Sequence, residues 1–178
     1  AQQAITGAPA PYQFFFYPPV FLLPCAALAL LPYGVAYAAF QAGTLALFLA
    51  AIRRILGRYG QGWAWLAPVL AFPPVFWNIG VGQNAFLTAG LFATFTLLLP
   101  SRPGSAGALL GMLCYKPHFG LLAPVALAAG GHRRAFAAAG ATVAGLIWAT
   151  LMLFGPETWA AYVTAVSYTH LTLPTILL

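Results

Sequence analysis

The sequence predicts an all-α fold, a polytopic bundle of transmembrane helices in which some helices are broken or re-entrant. Hydrophobic residues make up 62% of the 178 residues and charged residues only 4%. A soluble domain carries roughly 25% charged residues, so this chain cannot cover a surface that faces water. Its apolar residues form runs separated by short turns, and prolines interrupt several runs, which indicates helices that bend or stop inside the membrane.

The first three apolar runs cover residues 20–31, 33–52 and 63–77. Run 20–31 follows two prolines that suit a first helical turn, but it is short for a full crossing, which takes about 20 apolar residues. Run 33–52 is long enough to cross alone. Run 63–77 contains prolines, so we expect a kinked helix there.

The last four runs cover residues 85–99, 106–115, 119–129 and 136–154. The middle two lie on either side of Lys116-Pro117, where the proline disfavours helical backbone at the residue before it. We therefore expect two half-helices that meet at membrane depth, where protein or a watery cavity must satisfy the non-helical backbone.

The arginines predict the topology. They lie in three connections between apolar runs, namely Arg53, Arg54 and Arg58, then Arg102, then Arg133 and Arg134. The positive-inside rule places these connections in the cytoplasm and residues 78–84, 116–118 and 155–159 toward the opposite face. The same rule accounts for the net charge of +6, so we expect no nucleic-acid partner.

The side on which Tyr17 lies depends on the first two runs. If runs 20–31 and 33–52 both cross, Tyr17 is cytoplasmic. If Pro32 only kinks one long tilted passage, Tyr17 lies on the outer side, and the shortness of run 20–31 favours this second arrangement.

Lys116 is the only lysine of the chain. A cation in an apolar region is costly, so it usually faces a cavity or an anionic partner, although a lysine can also extend its ammonium to the membrane interface. His118 is a candidate beside it. The competing interpretation for His118 is an interfacial imidazole that is hydrogen-bonded to backbone.

Two further segments hold candidate binding residues. In residues 77–84, two glycines allow close backbone approach, and Asn84 is the expected N-cap of the next helix; Gln83 has no such structural explanation. Backbone N–H groups there could bind an anion or a sugar hydroxyl. In residues 14–19, the aromatic cluster around Tyr17 is either an interfacial belt or the rim of a lipid-carrier entrance.

The remaining candidates for chemistry are weak. Glu157 is the only acid of the chain, and with Pro156 it fits the first turn of a helix, while Trp159 fits an interface anchor. Cys25 and Cys114 lie inside apolar runs and do not have the spacing of metal ligands. We expect no metal site, no cofactor and no catalytic residue in this chain.

Several segments resemble glycosyltransferase family 87, over about residues 5–163. These segments are Phe-Tyr-Pro-Pro-Val-Phe-Leu-Leu at 16–23, Leu-Leu-Pro-Tyr at 30–33, Gly-Gln-Asn at 82–84, Ala-Gly-Ala-Leu-Leu-Gly at 106–111 and Tyr-Lys-Pro-His at 115–118. In the last segment the family more often has Lys-Pro-Gln, so His118 departs from its pattern.

The resemblance implies a multi-pass type C glycosyltransferase of the bacterial inner (plasma) membrane. Such an enzyme transfers a sugar, here expected to be mannose, from a polyprenyl-phosphate donor to a lipid or glycan acceptor hydroxyl on the outer face, among membrane lipids. The expected general base is an Asp in an outer loop upstream of Tyr17, which this chain lacks. Lys116 would stabilise the carrier phosphate, and Gln83, Asn84, Tyr17 and His118 would complete the substrate-binding set.

The resemblance also predicts the domain organisation. Residues 1–165 are expected to be a partial membrane-embedded glycosyltransferase domain, an internal fragment that is inactive alone. Residues 166–178 change to a threonine-rich composition that resembles adapter read-through, and we expect them to be non-native. The alternative function is a polytopic transporter or flippase for an anionic or lipid-linked solute, with Lys116 binding the solute at mid-membrane.

Overall fold

The computed structural model of the chain describes residues 17–57 and 62–176. Within these ranges every regular element is a helix, which confirms the all-α prediction there. A 3-10 helix, Pro19–Phe21, comes first, and a second one, Met112–Tyr115, lies between α6 and α7. The α-helices are α1 (Leu22–Leu28), α2 (Tyr33–Gly57), α3 (Leu66–Ala71), α4 (Pro73–Gly80), α5 (Ala85–Leu98), α6 (Pro103–Gly111), α7 (Phe119–Ala129), α8 (Arg133–Phe154) and α9 (Pro156–Ile176).

Two of the described helices, α2 and α8, are long and apolar enough to cross a membrane. They contain 25 and 22 residues, which corresponds to roughly 33–38 Å of helix against a hydrocarbon core of about 30 Å. Only 6% of the most apolar stretch of α8 is buried. The rest of the described chain therefore leaves its apolar surface uncovered, as lipid contact requires. Further crossings remain a prediction.

Four helices pack in a row, with α2 on α5, α5 on α6 and α6 on α8. Helices α2 and α5 run in the same direction. Gln41, early in α2, donates to the carbonyl of Gln83 just before α5, and Phe48, further along α2, stacks on Phe86 in α5 at 5.9 Å. Helices α6 and α8 are also parallel, since Gly107 lies against Ala135 and the next turn lies against the next turn of α8.

These directions gather the described arginines at one end of the row, and Arg58 lies outside the described residues. Arg53 and Arg54 lie at the C-terminal end of α2, Arg102 lies between α5 and α6, and Arg133 begins α8. The hydrogen bond between Thr88, in the first turn of α5, and Tyr115, after α6, places the turn at Lys116 at the opposite end. The predicted separation of the arginines from residues 78–84 and 116–118 is therefore observed, and the membrane side of each end remains a prediction.

The break at Lys116-Pro117 is confirmed. Helix α6 ends at Gly111 and continues as the 3-10 helix Met112–Tyr115, and Lys116 then adopts an extended backbone with φ −118° and ψ 91°. The proline ring excludes helical backbone at Lys116, so α7 starts only at Phe119. Run 63–77 divides in the same way into α3 and α4, with extended backbone at Phe72 before Pro73.

The first two runs do not form one long passage kinked at Pro32, so that expectation is wrong. Helix α1 ends at Leu28, and α2 begins at Tyr33 after a turn. Leu28 and Phe40 line the same cavity although 12 residues separate them, which requires α1 to fold back beside α2. Tyr17 nevertheless lies at the Lys116 end of the helices, the end at which the kinked passage also placed it, because its ring lies 6.4 Å from that of Tyr115.

Candidate functional site

A cavity of about 150 Å³ lies between α1, the first half of α2 and the start of α5. We call it the Asn84 cavity. Two of the residues predicted to bind substrate, Tyr17 and Asn84, both line it, together with Phe21, Phe40 and Gly82. The fold thus brings together two candidates that are 67 positions apart in the chain.

Three aromatic rings connect this cavity to the Lys116 turn. The Phe21 ring lies 4.8 Å from that of Tyr17 and 5.0 Å from that of Tyr115, measured between ring centroids. The Tyr115 hydroxyl forms a 2.8 Å hydrogen bond with the Thr88 hydroxyl, which also donates to the Asn84 carbonyl. Tyr115 is therefore the residue that joins the cavity to Lys116, its neighbour in the chain.

Lys116 is partly buried at the turn and lies outside both candidate membrane spans. Its backbone N–H donates to the Leu113 carbonyl at 2.9 Å, and its own carbonyl accepts from Phe119, so the turn is fixed by the chain itself. Burial lowers the pKa of Lys116 from the ordinary lysine value, because desolvation disfavours the charged form. An anionic partner would offset that cost.

His118 lies on the exposed side of the same turn. Its ring packs on the Phe119 ring at 4.6 Å, and no hydrogen bond to backbone holds it in the described part of the chain. The interpretation of His118 as a backbone-bonded imidazole is therefore wrong, because the ring is positioned by aromatic contact instead.

Two apolar cavities flank α7 directly after Lys116. Each has a volume of about 410 Å³, and Leu110, Phe119, Ala123 and Leu127 border both. Helix α7, which begins three residues after Lys116, thus lies between two apolar cavities that suit hydrocarbon.

Asn84 occupies the N-cap position of α5, as expected, but its side chain forms no capping hydrogen bond, and the Asn78 side chain takes that role. The Asn78 carboxamide oxygen accepts from the Ala85 N–H at 3.1 Å, and its nitrogen donates to Gln41 at 3.3 Å. The intervening turn needs Gly82, whose φ of +68° is a left-handed conformation that favours glycine. With this turn, the Asn78 side chain lies beside the first N–H of α5.

Gln83 is held through its backbone rather than its side chain. Its N–H donates to the Asn78 carbonyl at 3.0 Å, and its carbonyl accepts from the Gln41 side chain at 3.2 Å. The Gln83 side chain is exposed at the mouth of the turn and does not line the Asn84 cavity.

The Asn84 side chain is buried, and its oxygen takes no part in the hydrogen bonds of the turn. Its side chain is only 3% exposed, and its carboxamide oxygen has no hydrogen-bond partner among the described residues. Buried polar atoms are almost always hydrogen-bonded in native proteins, so this oxygen is an exception within the described part of the chain.

Asn78→Ala is expected to destabilise this turn by about 1–3 kcal/mol, because it leaves the Ala85 N–H and the Gln41 oxygen without partners in a buried position. Thermal unfolding followed by tryptophan fluorescence in nanodiscs measures the loss. Gln41→Ala and the double variant complete a cycle in which the effects should not add, since the two side chains share one bond. Strict additivity would contradict the network.

Sequence reasoning identified the segments of the site but missed Gln41 and the roles of Asn78 and Tyr115. The sequence did contain a signal for Gln41, because it is a polar residue in the middle of the apolar run 33–52 and such residues face the protein interior.

The prediction that Pro156 and Glu157 form the first turn of a helix is confirmed, because α9 begins at Pro156. Trp159 packs against the core and donates to Thr150 at 3.3 Å, and its place at a membrane interface remains a prediction.

The comparison with protein families identifies a family. The sequence model of glycosyltransferase family 87 matches residues 15–176, which includes every candidate residue above. No curated protein and no solved structure matches the chain. Among the described residues, no group of three or more His, Cys, Asp or Glu side chains could hold a metal ion.

Proposed function

This chain belongs to glycosyltransferase family 87, and from that membership we propose that it forms part of a membrane enzyme that uses a lipid-linked sugar. The donor is a polyprenyl-phosphate sugar, with mannose as the sugar. The acceptor is a hydroxyl of a lipid or glycan on the outer face of a bacterial inner membrane.

One structural observation supports a polyprenyl-phosphate donor in addition to the family membership. The only lysine of the chain lies at a helix break three residues before Phe119, which borders two apolar cavities of about 410 Å³ each. A polyprenyl phosphate has the matching chemistry, because its anionic phosphate suits the ammonium and its hydrocarbon chain suits the grooves beside α7. A nucleotide sugar would leave those grooves without an occupant.

The proposed reaction places Lys116 at the leaving group. A carboxylate takes the proton of the acceptor hydroxyl, and the oxygen attacks the anomeric carbon while the bond from that carbon to the phosphate oxygen breaks. The electron pair leaves with the polyprenyl phosphate, whose growing charge Lys116 stabilises. Tyr17, Gln83, Asn84 and His118 are the proposed contacts to the remainder of the substrates.

The carboxylate of this reaction is assigned to a residue outside these 178 residues. Glu157 is the only acid of the chain, and it lies in the first turn of α9, where a negative charge stabilises the positive end of a helix. That role accounts for Glu157 without any catalytic function.

Binding of the donor tests the proposal without requiring turnover. The chain in nanodiscs is titrated with fluorescent polyprenyl phosphate, and polyprenyl-phosphate mannose and GDP-mannose are added as competitors. We expect saturable binding that polyprenyl-phosphate mannose displaces and GDP-mannose does not. Displacement by GDP-mannose alone, or the absence of saturable lipid binding, would overturn the proposal.

A further inference from the structure

The arginine end of the helices holds a cavity that the proposed reaction does not use. It has a volume of about 340 Å³ and lies between the turn that joins α5 to α6 and the turn that precedes α8. Its lining includes His132, Arg133 and Arg134, and we call it the Arg133 pocket. Helix α7, whose 11 residues correspond to roughly 16 Å, separates this pocket from the Lys116 turn.

The positive charge of this pocket has no acidic residue near it. Glu157 is the only acidic residue of the chain, and it follows the far end of α8, whose 22 residues place it roughly 33 Å from Arg133. Arg102 adds a further cation to the turn between α5 and α6. An anion in the pocket therefore gains electrostatic energy that no side chain of the protein already supplies.

The side chains also indicate the kind of anion. Arg133 and Arg134 are adjacent in the chain and exposed, so their guanidinium groups are accessible to a ligand. A guanidinium group binds a phosphate through paired N–H donors in one plane. At the surface of a membrane, phosphate groups are supplied by anionic lipids, which attract clusters of arginine.

The Arg133 pocket adjoins a cavity that suits hydrocarbon. Leu99 and His132 border both the pocket and the apolar cavity of about 410 Å³ between α5 and α7, to which Phe92 and Phe95 also contribute. A basic pocket beside an apolar cavity matches a molecule with an anionic head and a hydrocarbon chain. A soluble phosphate would occupy only the basic part.

The other apolar cavity beside α7 does not reach this pocket. It includes Cys114, two positions before Lys116, but neither Leu99 nor His132 borders it. This second cavity therefore remains available to the hydrocarbon chain of the proposed donor. The two cavities can hold different lipids, one from each end of α7.

Membrane topology alone does not account for the pocket. The positive-inside rule predicts arginines in the connections at this end, but that rule is satisfied by arginines that border no cavity. Arg53 and Arg54 are of this kind, since neither lines the Arg133 pocket, and the Arg53 guanidinium lies over the Trp63 ring at 4.0 Å.

We infer that the Arg133 pocket binds the headgroup of an anionic phospholipid from the surrounding membrane, with one acyl chain in the cavity between α5 and α7. The phosphodiester lies against Arg133 and Arg134, and the chain passes Leu99 and His132 toward the aromatic rings of α5. This lipid site is separate from the proposed donor site and goes beyond the proposed function.

Native mass spectrometry of the full chain in detergent micelles tests this inference. Phosphatidylglycerol, which is anionic, and phosphatidylcholine, which has no net charge, are titrated separately, and we expect the chain to bind phosphatidylglycerol more tightly. Arg133→Gln combined with Arg134→Gln should lower the phosphatidylglycerol affinity about 25-fold, because each basic residue near an anionic lipid contributes about fivefold. The phosphatidylcholine affinity should not change.

Two controls separate the pocket from the general charge of this end and from the donor site. Arg53→Gln combined with Arg54→Gln removes the same charge from the same end but not from the pocket, so it should change the phosphatidylglycerol affinity by less than about twofold. Lys116→Gln should leave that affinity unchanged, and the Arg133 and Arg134 double variant should retain its affinity for polyprenyl phosphate.

The position of the acyl chain has its own test. Ala126 is exposed on α7 and lines the cavity between α5 and α7 but not the other cavity. Ala126→Phe should lower the phosphatidylglycerol affinity about fivefold, which corresponds to the loss of roughly ten close carbon–carbon contacts. Glycerol phosphate, which carries the phosphate without the chains, should not displace the lipid even in large excess.

Several results would overturn the inference. Equal wild-type affinities for the two phospholipids would show that the pocket does not select an anion, and equal losses in the two arginine double variants would show that only general charge attracts the lipid. Displacement by glycerol phosphate, or an unchanged affinity in Ala126→Phe, would show that the chain does not enter the cavity. In each case a polyprenyl-phosphate affinity that depends on Lys116 would leave the proposed function standing.

Discussion

Lys116→Gln is expected to lower the affinity of the chain for polyprenyl phosphate by about 10- to 100-fold. Hydrogen bonds to a charged group contribute about 1.5–3 kcal/mol, and each 1.4 kcal/mol is a factor of about ten. The partial burial of Lys116 keeps water from replacing the lost contact in full. Titration of nanodisc-embedded protein with fluorescent polyprenyl phosphate measures the change.

Two controls isolate the charge in that experiment. Lys116→Arg keeps a cation at the turn and should retain most of the affinity, although the planar guanidinium presents its N–H donors in a different geometry from the lysine ammonium. Neutral polyprenol lacks the phosphate and should bind the wild type and Lys116→Gln equally, through the apolar cavities beside α7. Equal loss of polyprenol binding would show that the substitution damages the fold, and an unchanged phosphate affinity would remove Lys116 from the site.

Gly107→Ala is expected to destabilise the protein by about 2–3 kcal/mol or more. A Cβ atom at Gly107 would overlap the Ala135 carbonyl oxygen and lie 2.8 Å from the Ala135 Cα. These are backbone atoms of α8, so they cannot swing aside as a flexible side chain would, and the two helices must separate. Loss of the α6–α8 contact also shifts the Lys116 turn, which follows α6. The thermal midpoint should fall by about 5 °C or more.

Gly104→Ala provides the comparison within the same helix. A Cβ atom at Gly104 meets nothing within 4 Å, and its backbone does not need glycine. Alanine there should raise stability slightly, by up to about 1 kcal/mol, through its better helix propensity. If Gly104→Ala and Gly107→Ala melt at the same temperature, the close contact between α6 and α8 is not part of the native protein.

The parts of the fold that depend on local sequence were predictable. Long apolar runs produced α2 and α8, and proline placed the break at Lys116 because its effect acts on the residue directly before it. The grouping of the arginines away from Lys116 followed from counting apolar segments. These features depend on neighbours in the chain.

The parts that were missed depend on residues far apart in the chain. Asn84 is the N-cap residue that the sequence predicts, but the side chain that bonds the first N–H of α5 belongs to Asn78, which lies across the left-handed turn at Gly82. Tyr115 was quoted as part of a motif, but its contacts with Tyr17 and Thr88 span 98 and 27 positions. No local pattern encodes such contacts in a single sequence.

The domain boundary at residue 166 has not been tested by the structure and remains a prediction. Helix α9 runs from Pro156 to Ile176, and therefore continues across the position at which the composition changes. Removal of residues 166–178 is expected to leave lipid affinity and melting temperature unchanged, because no candidate binding residue lies there. Loss of lipid binding in the shortened chain would contradict that prediction.

Photolabelling tests most directly whether Lys116 and α7 hold a lipid-linked donor. A polyprenyl phosphate with a photoreactive diazirine in the isoprene unit next to the phosphate is bound to the wild-type chain in nanodiscs, irradiated and mapped by peptide mass spectrometry. We expect labels in the segment from Cys114 to Leu127, reduced by excess unlabelled polyprenyl-phosphate mannose. Labels confined to the arginine end of the helices, or labels that the unlabelled donor does not reduce, would contradict this account.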